Sequence, residues 1–259
     1  MPVSLLPRPS DFASAGYEKE GYLVVRAAFS ASEVEQVRGF VEGIADPTTL
    51  RSPEGPRRYD DDTARDRGVC LLSRVEYFRN THLGLRAMAQ DPRLLGIASL
   101  LLGEPAVLFK DKVNFKRPGS SGFDPHQDAQ AGWERYAVSF VTVLVSLDAA
   151  TVENGCLEIA PGRHREGLLG PLLAPISPAL AESLRFEPLP TAPGDVVFFG
   201  ARTPHRSASN CTDESRRVLY LTYNGLSGGD QYERYFADKL AAYPPDDLRV
   251  PGSLHRYKV

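Results

Sequence analysis

The stretch AVLFKDKVNFKR, residues 106–117, decides the fold of this chain. Its apolar and polar side chains alternate with a period of two, which is the period of a β-strand. The apolar positions are Val107, Phe109, Val113 and Phe115, and the polar positions are Lys110, Lys112, Asn114 and Lys116. The pattern therefore predicts a strand with one face on the core and one polar face.

The sequence beyond residue 117 also has patterns typical of β-strands. YAVSFVTVLVSLD (136–148) is nearly continuously apolar, as expected of a central strand covered on both faces. Shorter strands bounded by turn or polar residues are predicted in ENGCLEIAPG (153–162), APGDVVFFG (192–200) and RRVLYLTYN (216–224). We predict a mainly β protein with flanking helices, whose core is a jelly roll, or cupin-like double-stranded β-helix.

The N-terminal third predicts one strand and two helices. GYLVVRAAF, from Gly21, is short and β-branched, which favours a strand. In the first helix Ser30 and Glu33 have capping-box spacing, and Asp46-Pro47 ends the apolar periodicity. The second helix begins after Asp91, with Pro92 at its first position, ends at Gly103 and is expected to pack on a sheet.

Between these helices, RSPEGPRRYDDDTARDRG (51–68) is polar and lacks apolar periodicity. It predicts either a solvated loop or a lid that closes over a site. We expect one domain over residues 1–259, with a helical and loop part at 1–105, a jelly-roll core at about 106–226 and a tail at 227–259.

Composition restricts the class of partner. A net charge of −3 offers little attraction to nucleic acid or an anionic membrane, so we expect neither as a partner. The chain has no apolar run long enough to span a bilayer and no secretory signal pattern, so we expect a cytoplasmic protein. Its three cysteines lack CxxC spacing and are interpreted as reduced thiols without a role.

Three residues form a candidate metal site. His126 and Asp128 lie one residue apart between a Gly/Ser turn and the central strand, and His205 follows the GDVVFFG strand. A His-X-Asp tripeptide alone is weak evidence, but strands distant in sequence pair with each other in a jelly roll, so the three side chains can converge. Two imidazoles and one carboxylate on one face of a metal are the ligand set of non-haem Fe(II) oxygenases. The remaining histidines, His82, His164 and His255, are expected to be structural or surface residues.

Several motifs together resemble the phytanoyl-CoA dioxygenase family of Fe(II)/2-oxoglutarate oxygenases. They are EGYLVV (20–25), HQD (126–128), NGCLEIAPGRHREG (154–167), GD (194–195), His205, and Arg216 eleven residues beyond that histidine. The resemblance implies Fe(II), 2-oxoglutarate and O2 as metal and co-substrates. It also implies that His126, Asp128 and His205 bind the metal and that Arg216 binds the distal carboxylate of 2-oxoglutarate.

Physical chemistry supports the role of Arg216. A guanidinium is a planar, permanently charged, bidentate partner for a carboxylate, and burying it without a partner is costly. Arg216 shares a strand face with Val218, Tyr220 and Thr222, whereas Arg217 points the other way. The alternative for Arg216 is an exposed arginine at a strand end.

Other polar residues are weaker candidates. Lys110 and Asn114 are candidates for contacts with 2-oxoglutarate or a substrate anion, and an exposed sheet face is the alternative. Thr142 is a candidate for a hydrogen bond to the co-substrate, and Lys112 shares the face of Lys110 near a substrate pocket. Trp133, the only tryptophan, is interpreted either as a wall of that pocket or as a core residue.

The predicted function is hydroxylation, or another oxidation, of an unactivated C–H bond in a small polar or anionic metabolite or natural-product intermediate, with succinate and CO2 as co-products. Residues 109–136 and 230–246 resemble a bacterial branch likened to 2-aminoethylphosphonate dioxygenases. Asp128 fills the position that related halogenases leave to chloride, which favours hydroxylation over halogenation. Two alternatives stay open: a non-catalytic jelly-roll protein that binds a metabolite or metal, and a cupin-like metalloenzyme without 2-oxoglutarate. The sequence does not predict an oligomeric state.

Overall fold

The computed structural model describes residues 11–46 and 55–249. Most of its strands lie in one antiparallel sheet of seven strands. In spatial order these are β1 (Tyr22–Val25), β9 (Val196–Gly200), β6 (Phe140–Ser146), β11 (Arg216–Gly225), β4 (Ala106–Lys116), β3 (Leu72–Glu76) and β2 (Arg57–Asp60).

A second antiparallel sheet has four short strands. In spatial order they are β5 (Phe123–His126), β10 (His205–Ser207), β7 (Leu157–Ile159) and β8 (Glu187–Leu189). Leu157 and Ile159 pack in one cluster with side chains of the large sheet, among them Leu144 and Phe199. Two antiparallel sheets with helices outside them confirm the predicted jelly-roll class.

The described residues also form α-helices. They are α1 (Asp11–Glu20), α2 (Ala31–Ala45), α3 (Asp62–Asp66), α4 (Leu83–Ala89), α5 (Pro92–Leu102), α6 (Pro178–Ser183) and α7 (Tyr232–Ala242). Of these, α1, α5 and α7 contact strands of the large sheet. Within the two described ranges, none of these helices has the length and apolar character needed to cross a membrane.

The two predicted helices are confirmed with their caps. The Ser30 hydroxyl accepts a hydrogen bond from the Glu33 amide, and the Glu33 carboxylate accepts one from the Ser30 amide, which is a complete capping box at α2. Asp91 caps α5 through the Arg93 amide, and Gly103 ends it in the left-handed conformation. Helix α5 packs on β4, β6 and β11, as expected.

The predicted central strand is confirmed as well. Every residue of β6 is buried, since β9 and β11 flank it in the sheet and side chains cover both of its faces. The apolar face of β4 is buried through Phe109, Val113 and Phe115. That face also carries Asp111, whose carboxylate accepts hydrogen bonds from three backbone amides and the Tyr232 hydroxyl.

The exposed-face alternative for β4 is wrong, because its polar face is buried too. Lys110 is 5% exposed, Asn114 is 7% exposed and Lys116 is 3% exposed. This face is directed into the space between the two sheets. The alternation of apolar and polar residues in the sequence cannot by itself distinguish such an inner polar face from a solvated one. The interior of the jelly roll is therefore lined by charged side chains along this strand.

Residues 55–68 are not the solvated loop that was one of the two predictions. Arg57–Asp60 form an edge strand, Asp62–Asp66 form a short helix, and Tyr59 is fully buried. The polar composition is misleading because arginine side chains in this segment pack on aromatic rings. The Arg57 guanidinium, for example, lies 4.3 Å from the Tyr77 ring centroid. The lid interpretation stays a prediction, and residues 51–54 lie outside the described ranges.

Alanine substitutions at two glycines test the fold, because they are expected to change the free energy of unfolding in opposite directions. Gly194 has a φ of +89°, and a Cβ there would lie 2.2 Å from the Phe29 carbonyl oxygen, so Gly194→Ala is expected to destabilise the protein by about 2–4 kcal/mol. Gly39 is an exposed residue within α2, and a Cβ there would meet no atom within 4 Å. Gly39→Ala is therefore expected to stabilise the protein by about 0.5–1 kcal/mol. Urea unfolding measures both, and equal effects would contradict this account of Gly194.

Candidate active site

The structure brings His126, Asp128 and His205 together at one end of the small sheet. His126 ends β5, Asp128 begins the following 3-10 turn, and His205 begins β10. The two histidines are direct partners in the antiparallel register, with ring centroids 4.2 Å apart. One ligand atom from each of the three residues lies within 4.8 Å of the others.

The close approach of β5 and β10 depends on Gly122, just before β5. A Cβ at this position would lie 2.2 Å from the Ser207 carbonyl oxygen. Any larger residue would therefore force β5 and β10 apart at the Ser207 end of the pair, which is opposite the end that carries the two histidines. The glycine at the end of the Gly/Ser turn before HQD is thus explained by the lack of space for a side chain.

Backbone carbonyls orient both imidazoles. His126 Nδ1 lies 2.6 Å from the Asp124 carbonyl oxygen, and His205 Nδ1 lies 2.9 Å from the Thr203 carbonyl oxygen. Because a carbonyl oxygen only accepts hydrogen bonds, Nδ1 carries the proton in each ring and donates it. The Nε2 lone pairs are then available to a metal.

Asp128 is oriented by two threonines. The Thr142 hydroxyl donates to Asp128 Oδ2 at 2.8 Å, and it lies 3.2 Å from the Thr222 hydroxyl. Since Thr142 donates its proton to the carboxylate, Thr222 donates to Thr142. Thr142 was predicted to bind the co-substrate, whereas the structure places its hydroxyl on Asp128.

The electrostatics of the cluster suit metal binding. Burial, followed by repulsion from His205, lowers the pKa of His126 to about 3, and burial also lowers the pKa of His205. Burial alone would raise the pKa of Asp128, but attraction from His205 and Lys112 outweighs it and lowers that pKa. Neutral imidazoles and an ionised carboxylate are the protonation states that a metal requires.

The three residues therefore fit a divalent metal of the non-haem iron type. They offer two neutral imidazole Nε2 atoms and Asp128 Oδ1, which accepts no hydrogen bond from the described residues. Two histidines and one carboxylate can occupy one face of an octahedral ion and leave the opposite face to other ligands.

Arg216 is buried, whereas its sequence neighbour Arg217 is not part of the same site. Arg216 is 5% exposed, its Nε has no hydrogen-bond partner, and it forms no ion pair with any residue in the described ranges. Burial lowers its pKa from the usual value. Arg217 points the other way and binds Asp148 and Glu42, so the predicted opposite orientation of the two arginines is confirmed. A buried guanidinium without an anionic partner fits a ligand carboxylate.

Tyr220 connects Arg216 with the three clustered residues, and sequence reasoning gave it no role. It shares the strand face of Arg216, and burial raises its pKa to about 12 against the opposing charge of Arg216. Asp128 also acts on this pKa, so the tyrosine is within electrostatic reach of both groups. Its position four residues beyond Arg216, on the same strand face, was the signal available in the sequence.

Two small cavities adjoin the three clustered residues. One of about 30 Å³ is lined by His126, Asp128 and His205 together with Tyr220 and Asn114. Asn114 also lines a neighbouring cavity of about 380 Å³ that contains Arg216 and Lys116. The space beside the candidate metal ligands therefore adjoins the space beside Arg216 at Asn114, whose Oδ1 is buried without a partner.

The second small cavity, of about 70 Å³, lies beside His126 and Asp128, and cations, carboxylates and aromatic rings line it. Its lining includes Lys110, Lys112 and Trp133. Trp133 is 1% exposed in the core, as one of its two predictions has it, and it also lines this cavity; its role as a wall of the substrate pocket stays a prediction. The Lys110 Nζ lies 5.2 Å from the Trp133 ring centroid.

Lys112 is more central than the sequence indicated. It lines both small cavities, and its Nζ lies 4.6 Å from the Tyr220 ring centroid. Burial, together with the nearby charge of Lys110, lowers its pKa to about 7.

Sequence reasoning missed the contribution of β3. Glu76 is fully buried, with its carboxylate 2.5 Å from Lys239 Nζ and 2.9 Å from Arg74 Nε, and both Glu76 and Arg74 line the 70 Å³ cavity. The charges of Lys239 and Arg74 outweigh burial, so the pKa of Glu76 lies below its ordinary value. The Glu76 carboxylate is therefore paired with cations of the protein itself. No local sequence pattern indicated that β3 would contribute residues to the site.

The other histidines lie outside this cluster. His82 caps α4 by accepting a hydrogen bond from the Leu85 amide at 3.1 Å. His164 lies in a 3-10 turn, where its ring faces Gly21. His255 lies outside the described residues.

Comparisons with known proteins agree with this geometry. A 2-aminoethylphosphonate dioxygenase from Uncultured bacterium HF130_AEPn_1 is 42% identical over 192 residues, covering 74% of this chain and 73% of that protein. A methylphosphonate hydroxylase from Gimesia maris is 35% identical over 232 residues, covering 89% and 86%. The predicted resemblance to the bacterial aminoethylphosphonate branch is confirmed.

The fold is shared with solved structures. The crystal structure of EctD from S. alaskensis with 2-oxoglutarate and 5-hydroxyectoine superposes with a TM-score of 0.72 at 24% identity, covering 87% of this chain and 80% of that chain. The family model for phytanoyl-CoA dioxygenase (PhyH) matches residues 17–218. That match spans most of the chain and contains His126, Asp128, His205 and Arg216, so the chain belongs to the phytanoyl-CoA dioxygenase (PhyH) family.

Proposed function

We propose that this protein is an Fe(II)- and 2-oxoglutarate-dependent dioxygenase that hydroxylates a C–H bond of a small anionic metabolite. The observation that carries the proposal is the cluster of His126, Asp128 and His205 together with a buried Arg216 that forms no ion pair with the described residues, in two cavities that share Asn114 in their lining. Iron bound to this cluster would supply oxidative decarboxylation of 2-oxoglutarate and oxidation of the substrate.

Each protein group has a distinct task in this mechanism. His126 Nε2, His205 Nε2 and Asp128 Oδ1 hold the metal, and their hydrogen bonds to Asp124, Thr203 and Thr142 fix their directions. Arg216 binds the distal carboxylate of 2-oxoglutarate in a bidentate manner. Asn114 and Tyr220 line the space between these two ends.

Asp128 also affects the outcome of the reaction. An aspartate at this position occupies a coordination site that would otherwise be open to a halide. Its Oδ2 accepts a hydrogen bond from Thr142, which leaves Oδ1 available to a metal that the two histidines would also bind. We therefore propose hydroxylation in preference to halogenation.

The substrate we propose is a small phosphonate. The relatives that are 42% and 35% identical are named for 2-aminoethylphosphonate and methylphosphonate. Beside His126, the cavity is lined by Lys110, Lys112 and Arg74, while Glu76 is occupied by protein cations. Two lysines that form no ion pair with the described residues suit the charged oxygens of a phosphonate group better than a neutral molecule.

The two alternative functions make different demands on Arg216. A non-catalytic binding protein and a cupin-like enzyme without 2-oxoglutarate both lack a need for a buried, unpaired guanidinium. Burying such a charge without a partner is costly, so its presence favours a dicarboxylate co-substrate.

The metal ligands can be tested one at a time. His126→Ala, Asp128→Ala and His205→Ala are each expected to abolish Fe(II)-dependent succinate formation, since each removes one of three ligands. Circular dichroism should show that the variants stay folded. Full activity in two of the three variants would refute the assignment.

Arg216 has a matched control in its neighbour Arg217. Arg216→Met is expected to raise the KM for 2-oxoglutarate by about 10–100-fold, because a charge-assisted bidentate contact contributes about 1.5–3 kcal/mol. Arg217→Met removes the outward ion pair with Asp148 and should change stability while leaving this KM nearly unchanged. If Arg216→Met keeps wild-type turnover and co-substrate dependence, the enzyme class without 2-oxoglutarate is the better assignment.

The substrate class is tested by substrate-stimulated succinate formation in air with Fe(II) and ascorbate. 2-Aminoethylphosphonate and methylphosphonate should stimulate it, whereas β-alanine, which carries a carboxylate in place of the phosphonate, should not. Lys110→Met should raise the KM for the phosphonate at least about 10-fold. The exposed Lys19 on α1 provides the control Lys19→Met, which should have no effect. Equal stimulation by β-alanine would contradict the phosphonate assignment.

A further inference from the structure

We propose that Gln127, the residue between two of the candidate metal ligands, is a positioning residue that holds the His126 and Asp128 turn in place relative to the loop that carries His205. The inference rests on the proposed metal-binding function. The Gln127 side chain is 0% exposed and does not point to the metal position, since all of its polar atoms bind backbone groups elsewhere.

The first contact joins the ligand turn to the His205 loop. Gln127 Nε2 donates to the Arg202 carbonyl oxygen at 2.6 Å. The next carbonyl along the chain, that of Thr203, is the one that accepts the hydrogen bond from His205 Nδ1. The Gln127 amide therefore binds the same short loop that orients the third ligand.

The other contacts join the ligand turn to a third segment, residues 167–176. Gln127 Nε2 also donates to the Gly167 carbonyl oxygen at 2.8 Å, and Gln127 Oε1 accepts from the Leu169 amide at 2.7 Å. Both amide protons and the amide oxygen are thus used. No other side-chain type of this length offers two donors and an acceptor in one plane.

Gln130 provides a comparison residue in the same turn. It is equally buried, its Nε2 donates to the Pro171 and Ala174 carbonyl oxygens of the 167–176 segment, and its Oε1 accepts from the Gln127 backbone amide at 2.8 Å. Its side chain has no hydrogen bond to residues 201–205 among those that the structure describes. Gln130 therefore attaches the 167–176 segment without linking the ligand turn to the His205 loop.

The consequence for metal binding follows from this difference. Replacing Gln127 with leucine would leave the Arg202 and Gly167 carbonyls and the Leu169 amide, all in part-buried hydrogen bonds, without these partners, and the ligand turn and the His205 loop would separate to hydrate them. A shift between these two segments changes the distance between His126 and His205, whereas a shift of the 167–176 segment alone does not.

The test is Co(II) titration of the full chain, followed by the visible absorption of the bound ion. Gln127→Leu is expected to raise the Co(II) dissociation constant about 10–100-fold and to change the spectrum, the usual size of effect for a group that orients ligands. Gln127→Glu keeps the acceptor but loses the donor to Arg202, and it should weaken binding to a similar degree. Gln130→Leu should lower the melting temperature comparably but keep affinity within about twofold and the spectrum unchanged.

Two results would overturn the inference. One is a loss of melting temperature in Gln127→Leu with wild-type Co(II) affinity and spectrum, which would make Gln127 a structural residue only. The other is an equal loss of affinity in the Gln127 and Gln130 variants. Absence of Co(II) binding by the wild-type protein would instead overturn the proposed function, and this inference with it, so the two failures are distinguishable.

Discussion

The structure depends on a row of charged and polar side chains buried between two sheets. Lys110, Lys112, Asn114 and Lys116 all point inward from β4, where water cannot solvate them fully. Burial lowers the pKa of Lys112 and of Lys116 to about 7, because the charged form of a lysine is poorly solvated there. A fold tolerates such a row only if each charge finds a partner in the protein or in a ligand.

The protein supplies partners for some of these charges and leaves others open. Lys116 Nζ binds Ser207 Oγ and the Gly155 and Ala208 carbonyl oxygens, and so holds two turns together. At the other end of the row, Glu76 is committed to Lys239 and Arg74. The cations left beside the cavities are the ones for which we propose anionic ligands, so the same electrostatic constraint explains the interior of the fold and the proposed chemistry.

Sequence reasoning predicted elements with local determinants and missed those that depend on distant partners. The capping box of α2, the Asp91 cap of α5 and the opposite directions of Arg216 and Arg217 all follow from residues close in sequence, and the structure has them as predicted. In contrast, Tyr59 is buried because α7 and the segment after it cover β2, and Thr142 meets Asp128 only because β6 runs beneath the ligand turn. Composition and periodicity in one segment carry no information about such partners.

The sequence by itself determined the strand pattern, the family resemblance and the spacing of HQD, His205 and Arg216, since alternation and short motifs are properties of the chain alone. The tertiary structure decided that the polar face of β4 is an interior surface, that His126 pairs with His205 across two strands, and that Gln127 links three separate segments. The physical reason is that burial, register and amide pairing are fixed by strand pairing and by the packing of one sheet onto the other, which bring together residues distant in sequence, such as His126 and His205, 79 positions apart.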